Sequence, residues 1–275
     1  MTQRYTRLLS IAGSDSGGGA GIQADLKTFA ALGCYGMTAI TAITAQNTCG
    51  VSGIHCVPPD MLAQQIEAVA NDIGVEAVKI GMLHDPEVVR VVADAIRRHR
   101  WRHVVLDPVM VAASGDRLIA DETVSVLVRE LFPLVSVVTP NLDEAALLLG
   151  FPVSSEAELE SAAGKLVELG APAVLLKGGH LPGQQVVDIL LQAGRPVLRM
   201  AAPRIATQND HGTGCTLSSA IACQLALGHP LDEAVRLARD YVYQALAQGA
   251  GVRTGHGRGP LNHGFAPIPL NTGIG

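Results

Sequence analysis

Aromatic residues are scarce in this chain of 275 residues: one Trp, four Tyr and four Phe make up 3% of it. With 48% hydrophobic residues, a large core must be built from Ala, Val, Leu and Ile. That length suits a single α/β domain of the larger sort. Cysteine is also sparse. Cys34, Cys49, Cys56, Cys215 and Cys223 are odd in number and irregular in spacing, and they include no CxxC pair. A zinc site or disulfide framework is therefore not expected, and a reducing cytoplasm is the expected compartment. No run of 18 apolar residues occurs, so no transmembrane helix and no membrane partner is expected. The opening MTQRYTRLLSIAGSD lacks the apolar region and cleavage site of a signal peptide. A net charge of −5 without any basic stretch gives no electrostatic case for nucleic acid. An anionic ligand must then be held by local N–H groups, single lysines or metal.

What is present is a repeated alternation of strand-like and helix-like segments. Arg7–Ala12, Met37–Thr44, Ala77–Ile80, His103–Leu106, Val135–Thr139 and Ala173–Lys177 read as strands. Val186–Leu191 and Pro196–Met200 read as a β-pair around a Gly194 turn. Ile22–Leu32, Pro59–Asp72, Pro86–Arg98, Glu122–Leu131, Asp143–Leu149, Glu156–Leu169, Thr216–Leu227 and Leu231–Ala247 have helical spacing. This order predicts an α/β fold with a mostly parallel central sheet covered on both faces. Ligands then bind beyond the carboxyl ends of the strands, where Gly13-Ser14-Asp15, Gln46, Gly81-Met82, Asp107, Asn141 and Lys177 fall. One domain is expected over residues 1–265. The Pro- and Gly-rich residues 266–275 are expected to be a loosely ordered tail.

The most informative run is Asp210-His211-Gly212-Thr213-Gly214-Cys215-Thr216. Glycine permits a tight turn and close approach to a ligand. The free N–H groups of a following helix can hold an anion or the charge developing in phosphoryl transfer. Cys215 at a helix N-terminus favours a thiolate, which can accept a proton from a substrate hydroxyl; the plainer reading is a glycine loop with a buried cysteine.

A second glycine loop, Gly13 to Gly21, holds five glycines in nine residues. It fits neither the dinucleotide fingerprint nor the P-loop, so it is either a close-approach ligand loop or a tight packing turn. Asp107, before Pro108, suits magnesium through water or a turn cap. Asn141 suits a helix cap with Glu144 three residues on, and Glu144 can in addition serve a metal. Lys177-Gly178-Gly179-His180 offers one cation to a phosphate, or a plain surface charge. Gln46 follows a strand of small residues, and a heterocycle bearing a ring nitrogen beside an amino group would satisfy both ends of its amide.

Together these motifs resemble the ribokinase-type superfamily, and more closely its hydroxymethylpyrimidine/phosphomethylpyrimidine kinases. The likeness is carried by AGSDSGGGAGIQADLKTF (residues 12–29), ITAQNTCGV (43–51), KIGML (79–83), DPVM (107–110), TPNLDEA (139–145), KGGH (177–180) and HGTGCTLSSA (211–220). It implies a ribokinase-like three-layer α/β/α domain and a kinase using ATP and Mg²⁺. The expected reactions are phosphorylation of 4-amino-5-hydroxymethyl-2-methylpyrimidine and then of its monophosphate, in thiamine diphosphate synthesis. The resemblance implies that Gln46, Gly13, Asp25, Met82 and Val109 bind the substrate. It places Cys215 at the reacting hydroxyl, with Gly212 and Gly214 in the anion turn and Lys177 neutralising phosphate. Lys177, Asn141, Thr213 and Asp210 are implied at the nucleotide, and Asp107 and Glu144 at magnesium. A homodimer is implied as well. One departure stands out: Asn209-Asp210-His211 replaces the common Asn-Thr-His, so Asp210 adds a charge beside the anion turn. It either faces the nucleotide or magnesium, or it alters ATP affinity. A pyridoxine or pyridoxal kinase, a sugar kinase and a non-catalytic vitamin-binding regulator are the competing expectations.

Overall fold

The computed structural model describes residues 3–110 and 119–274. Residues 1, 2 and 111–118, inside the expected domain, and residue 275, inside the expected tail, lie outside the described residues. The chain runs through Gln3–Tyr5 (β1), Arg7–Ala12 (β2), Gly21–Ala31 (α1), Tyr35–Ile40 (β3), Ala42–Asn47 (β4), Gly50–Cys56 (β5) and Pro59–Asp72 (α2). Ala77–Ile80 (β6), Pro86–His99 (α3), His103–Leu106 (β7), Asp121–Glu130 (α4), Val137–Val138 (β8), Leu142–Leu149 (α5) and Leu159–Glu168 (α6) follow. Ala173–Lys177 (β9), Gln185–Gln192 (β10), Leu198–Pro203 (β11), Thr213–Ala226 (α7), Leu231–Gly249 (α8) and Thr272–Ile274 (β12) complete it.

Among the described residues the main sheet has the order β11-β10-β9-β8-β7-β6-β2-β3. It is parallel from β9 to β3, and β10 and β11 add an antiparallel edge. Strand side chains alternate between its two faces. Leu9, Ile11, Val78, Ile80, Val104 and Leu106 join one core, packed by α2 to α6. Leu8, Ala77, Val105, Val137, Leu175 and Leu190 join the other, under α1, α7 and α8. The fold is thus the expected α/β/α sandwich. Scarcity of aromatics has a visible result in α7, where Thr216 to Cys223 is buried throughout and all but Leu217 and Ile221 are small residues. Small side chains let this helix lie close to β2, β6 and β7 while α1 and α8 flank it.

Four expectations are corrected. Met37–Thr44 is not one strand: it breaks at Thr41, whose N–H donates to Ala12 O at the end of β2. The chain then continues as β4, which forms a separate antiparallel ribbon with β5 while Ala42 O still accepts the N–H of Ser14. Glu156–Leu169 is a short 3₁₀ turn, Glu156–Glu158, followed by α6. Helix α7 begins at Thr213, three residues earlier than the pattern suggested, so Gly214 and Cys215 lie in its first turn. Residues beyond Phe265 are not loose: Ile268 N–H donates to Ala31 O, Asn271 N–H donates to Gly33 O, and β12 pairs with β1. Backbone pairing with α1 and β1 is what the composition of that segment could not reveal.

Phe29 is one of few large side chains in the α1/α7 layer and is fully buried. Phe29→Ala should cost about 3–5 kcal/mol in urea unfolding, because small neighbours cannot refill the space.

Candidate active site

Period-two alternation puts Ser10 of β2 and Lys79 of β6 on the face beneath α1 and α7, and the parallel ladder places them opposite each other. Both are fully buried. Lys79 Nζ lies 2.9 Å from Asp25 Oδ1 on α1 and 3.0 Å from Oδ2. Ser10 Oγ donates to the same carboxylate at 2.6 Å, and Ser219 Oγ of α7 donates at 2.7 Å. Burial disfavours the Lys79 ammonium, but Asp25, Cys215 and Asp107 together hold its pKa above that of an ordinary lysine. The expected contact of Asp25 with substrate is corrected here. Asp25 has no exposed surface and is absent from the cleft wall, because its carboxylate is fully engaged with Lys79 and two serines. Lys79 does line the cleft.

Above this floor sits a cleft of about 1950 Å³ at the carboxyl ends of the parallel strands. Gly212 caps α7 with a φ of 87°, and a Cβ there would collide with Gly19 O. The two glycine loops therefore rest directly on each other, which only glycine allows. A Cβ on Gly214 would come within 3.1 Å of Lys177 Nζ and 3.4 Å of Asp107 Oδ2, so this glycine brings the helix N-terminus onto the ion pair. That pair joins the ends of β9 and β7: Lys177 Nζ donates to Asp107 Oδ1 at 2.9 Å, and Thr139 Oγ1 donates to the same oxygen at 3.2 Å. Asn141 and Glu144 form the expected reciprocal cap of α5, each side chain accepting the other's backbone N–H at 2.9 and 2.8 Å. Burial, with Asp107 nearby, raises the Glu144 carboxyl to about 7 against the pull of Lys177. Burial opposes the Lys177 charge, but Asp107 and Glu144 hold its pKa above the ordinary value.

Gly13, Met82, Val109 and Gln46 line the same cleft. Met82 is so close that a Cβ on Gly13 would lie 3.0 Å from its Cε. Gln46 sits on a bulge of β4, and its backbone is pinned by Ser16, whose Oγ accepts Gln46 N–H at 2.8 Å and donates to Gln46 O at 2.6 Å. One end of its side-chain amide is 3.3 Å from Thr44 Oγ1, and the other is 3.3 Å from His211 Nε2. Asp15 closes the glycine loop by accepting from the N–H groups of Gly17, Gly19 and Ala20 at 2.8 to 3.0 Å, and His211 Nε2 lies 3.0 Å from its Oδ2. Burial would raise the Asp15 carboxyl, but these bonds hold it below the ordinary range.

Two expectations change in detail. Asp210 lines the cleft with Thr213, but its charge is already met by Arg258, whose Nε donates to Oδ1 at 2.7 Å and whose Nη2 reaches Oδ2. Cys215 is not a dipole-stabilised thiolate. Desolvation, together with Asp25 and Asp107, outweighs Lys79 and pushes the thiol up to about 11. Apart from Asp25, every sequence-predicted site residue lines this one cleft. Lys79, Asp15, His211 and Arg258 had no role assigned from sequence. A charged residue inside the four-residue apolar strand Ala77-Val78-Lys79-Ile80 was the available signal for Lys79. Nothing local marked Arg258, which is 48 residues from its partner. Among the described residues there is no group of three or more His, Cys, Asp or Glu poised for a metal, and no helix long and apolar enough to cross a membrane.

A parallel α/β/α sandwich with one cleft at its strand ends, lined by a glycine-started helix and a strand-end lysine, is the arrangement of a small-molecule kinase of the ribokinase-like kind. The solved structures agree. Over 94% of this chain and 97% of its own, the Bacillus subtilis pyridoxal kinase in complex with ADP superimposes with a TM-score of 0.87 at 35% identity. Phosphomethylpyrimidine kinase from Clostridium difficile 630 matches 87% of this chain and 99% of its own, with a TM-score of 0.76 at 42% identity. Residues 15–262 match the family model for phosphomethylpyrimidine kinase. A hydroxymethylpyrimidine/phosphomethylpyrimidine kinase of Rhizobium meliloti (strain 1021) is 54% identical over 256 residues, 93% of this chain and 96% of that protein. The chain belongs to the phosphomethylpyrimidine kinase family.

If Cys215 is held as a thiol, site-resolved alkylation by iodoacetamide at pH 7 should be slower at Cys215 than at the exposed Cys49 and Cys56. Its rate should still be rising at about pH 10. Fast labelling at neutral pH would show a thiolate instead.

Proposed function

We propose that this cleft transfers phosphoryl groups from ATP to 4-amino-5-hydroxymethyl-2-methylpyrimidine and then to its monophosphate, two consecutive kinase steps of thiamine biosynthesis. One observation carries the reading: the Gln46 amide, the glycine turn Gly212–Cys215 and Lys177 line one cleft. The pyrimidine lies with its polar edge on Gln46 and its apolar parts against Gly13, Met82 and Val109. Its hydroxyl points at Cys215. Backbone N–H groups in the first turn of α7 face the transferring group, and Lys177 balances its charge. Asn141, Thr213 and the Asp210–Arg258 pair stand on the nucleotide side. Positioning and fixed charge do most of the catalysis, as phosphoryl transfer allows. Cys215 is a thiol at rest and acts in the fraction of enzyme that carries it as the thiolate, which Lys79 below favours; there it takes the hydroxyl proton as that oxygen bonds to phosphorus, and ends as the thiol.

The donor set fits Mg²⁺. Asp107 and Glu144 are hard oxygen donors close to one another, and the elevated Glu144 carboxyl is the kind that a divalent cation draws into its anionic form. Bound there, Mg²⁺ would neutralise phosphate oxygens. The proposal extends to a homodimer, supported by the apolar Ile43, Val51 and Ile54 that β4 and β5 expose. It extends also to a reducing compartment such as the cytoplasm, supported by five unpaired cysteines.

ADP release should be measured with Mg²⁺ and ATP, offering hydroxymethylpyrimidine, its monophosphate, pyridoxal and ribose in parallel. Turnover with both pyrimidines is expected; turnover with pyridoxal alone would move the chain to vitamin B6. Cys215→Ala should lower kcat by about 100-fold or more and leave the pyrimidine KM nearly unchanged. An alanine variant with full activity would remove Cys215 from the mechanism.

A further inference from the structure

His211 is held at its backbone, at one ring edge and at Nε2. Its N–H donates to Gly259 O at 3.0 Å. Its ring lies flat enough on Gly19 that a Cβ on that glycine would come within 2.6 Å of Cδ2. That leaves Nε2 facing two groups at once, Asp15 Oδ2 at 3.0 Å and the Gln46 amide at 3.3 Å. Asp15 already accepts three backbone N–H groups and is an anion. An unprotonated Nε2 would set one lone pair against another at 3.0 Å, so Nε2 carries the proton. A protonated Nε2 cannot accept from an amide NH₂.

The far end of the amide gives the same answer. Thr44 has one hydroxyl proton, and it goes to Ser14 O at 2.8 Å. Toward Gln46, at 3.3 Å, Thr44 Oγ1 is therefore an acceptor. The two ends of an amide exchange by a half-turn of the last bond, and partners decide between them. Both partners select one orientation, with NH₂ toward Thr44 and the oxygen toward His211.

We propose that His211 is a positioning residue that sets the donor and acceptor order of Gln46, and through it the choice of pyrimidine. The proposal rests on the kinase reading above. With the amide so held, Gln46 offers a free N–H on the Thr44 side and a free oxygen lone pair on the His211 side. A 4-aminopyrimidine edge matches that order, its ring nitrogen accepting and its amino group donating. A 4-oxo analogue carries N–H and C=O in the reverse order and leaves both ends of the amide unpaired, which such sites reject strongly.

The test compares the 4-amino substrate with its 4-oxo analogue, under ATP and Mg²⁺, in wild type, His211→Phe and His211→Gln. In His211→Phe the KM for the amino substrate should rise by about tenfold or more, and the preference over the oxo analogue should fall by a similar factor. The ATP KM should stay within about twofold, because the donor lost lies on the acceptor side. His211→Gln restores a donor and should recover the preference. A kcat and ATP KM that collapse together, with the amino-over-oxo preference intact, would make His211 only a prop for the turn and overturn the proposal. The imidazole ¹⁵N shifts of wild-type His211 give a check that needs no variant. A proton on Nε2 is expected, and an Nδ1–H tautomer would overturn the proposal. Absence of wild-type turnover on either pyrimidine would refute the kinase reading, while the tautomer would still report on His211.

Discussion

Beneath the cleft, a lysine and an aspartate with no contact to water hold four elements in one arrangement. Lys79 comes from β6, Asp25 from α1, Ser10 from β2 and Ser219 from α7. Burying such a pair is a poor way to gain stability, because desolvation consumes much of the attraction. Its consequence is positional. Helix α7 cannot shift along the sheet without moving Ser219 from Asp25, and the start of α7 carries the Gly212–Cys215 turn that lines the cleft. Lys79 also places a fixed positive charge beside Cys215, the one favourable influence among the charges that set that thiol.

Close backbone approach does the rest. Gly212 rests on Gly19, and Gly214 rests on the Lys177–Asp107 pair, so the two glycine loops and the ends of β7 and β9 converge within contact distance. A Cβ at Gly212 would collide with Gly19 O and force the two loops apart. The one cleft is lined by the charged groups Asp107, Glu144 and Lys177, by the Gln46 amide with Met82 and Val109, and by Cys215.

Much of this was legible in the residues. Apolar strands ending in Gly13, Gly81, Asp107 and Lys177 gave a parallel sheet with its site at one rim, and the Asn141–Glu144 spacing gave the cap that is found. What could not be read was set at long range. The break at Thr41 is fixed by backbone bonds to Ala12 and, one residue on, Ser14, both far away in sequence. The tail after Phe265 is ordered by Ala31, Gly33 and β1, none of them near in sequence. Asp25 resembled a substrate ligand by its motif, yet an acid on the inner side of α1 must meet whatever β6 presents, and β6 presents Lys79. The Cys215 thiolate followed from the helix dipole alone; burial and two nearby carboxylates outweigh a dipole that is worth about 0.3–1 kcal/mol at an exposed end.

The claim that the buried pair serves the site more than stability is tested most directly by a double-mutant cycle on Asp25→Asn and Lys79→Met. Each single change should cost about 3–5 kcal/mol in urea unfolding, because it leaves a charge or a polar group buried without its partner. The double change should recover most of that loss, yet keep kcat depressed by about tenfold or more, since no charge then stands beneath Cys215. A double variant as active as the wild type would contradict the account.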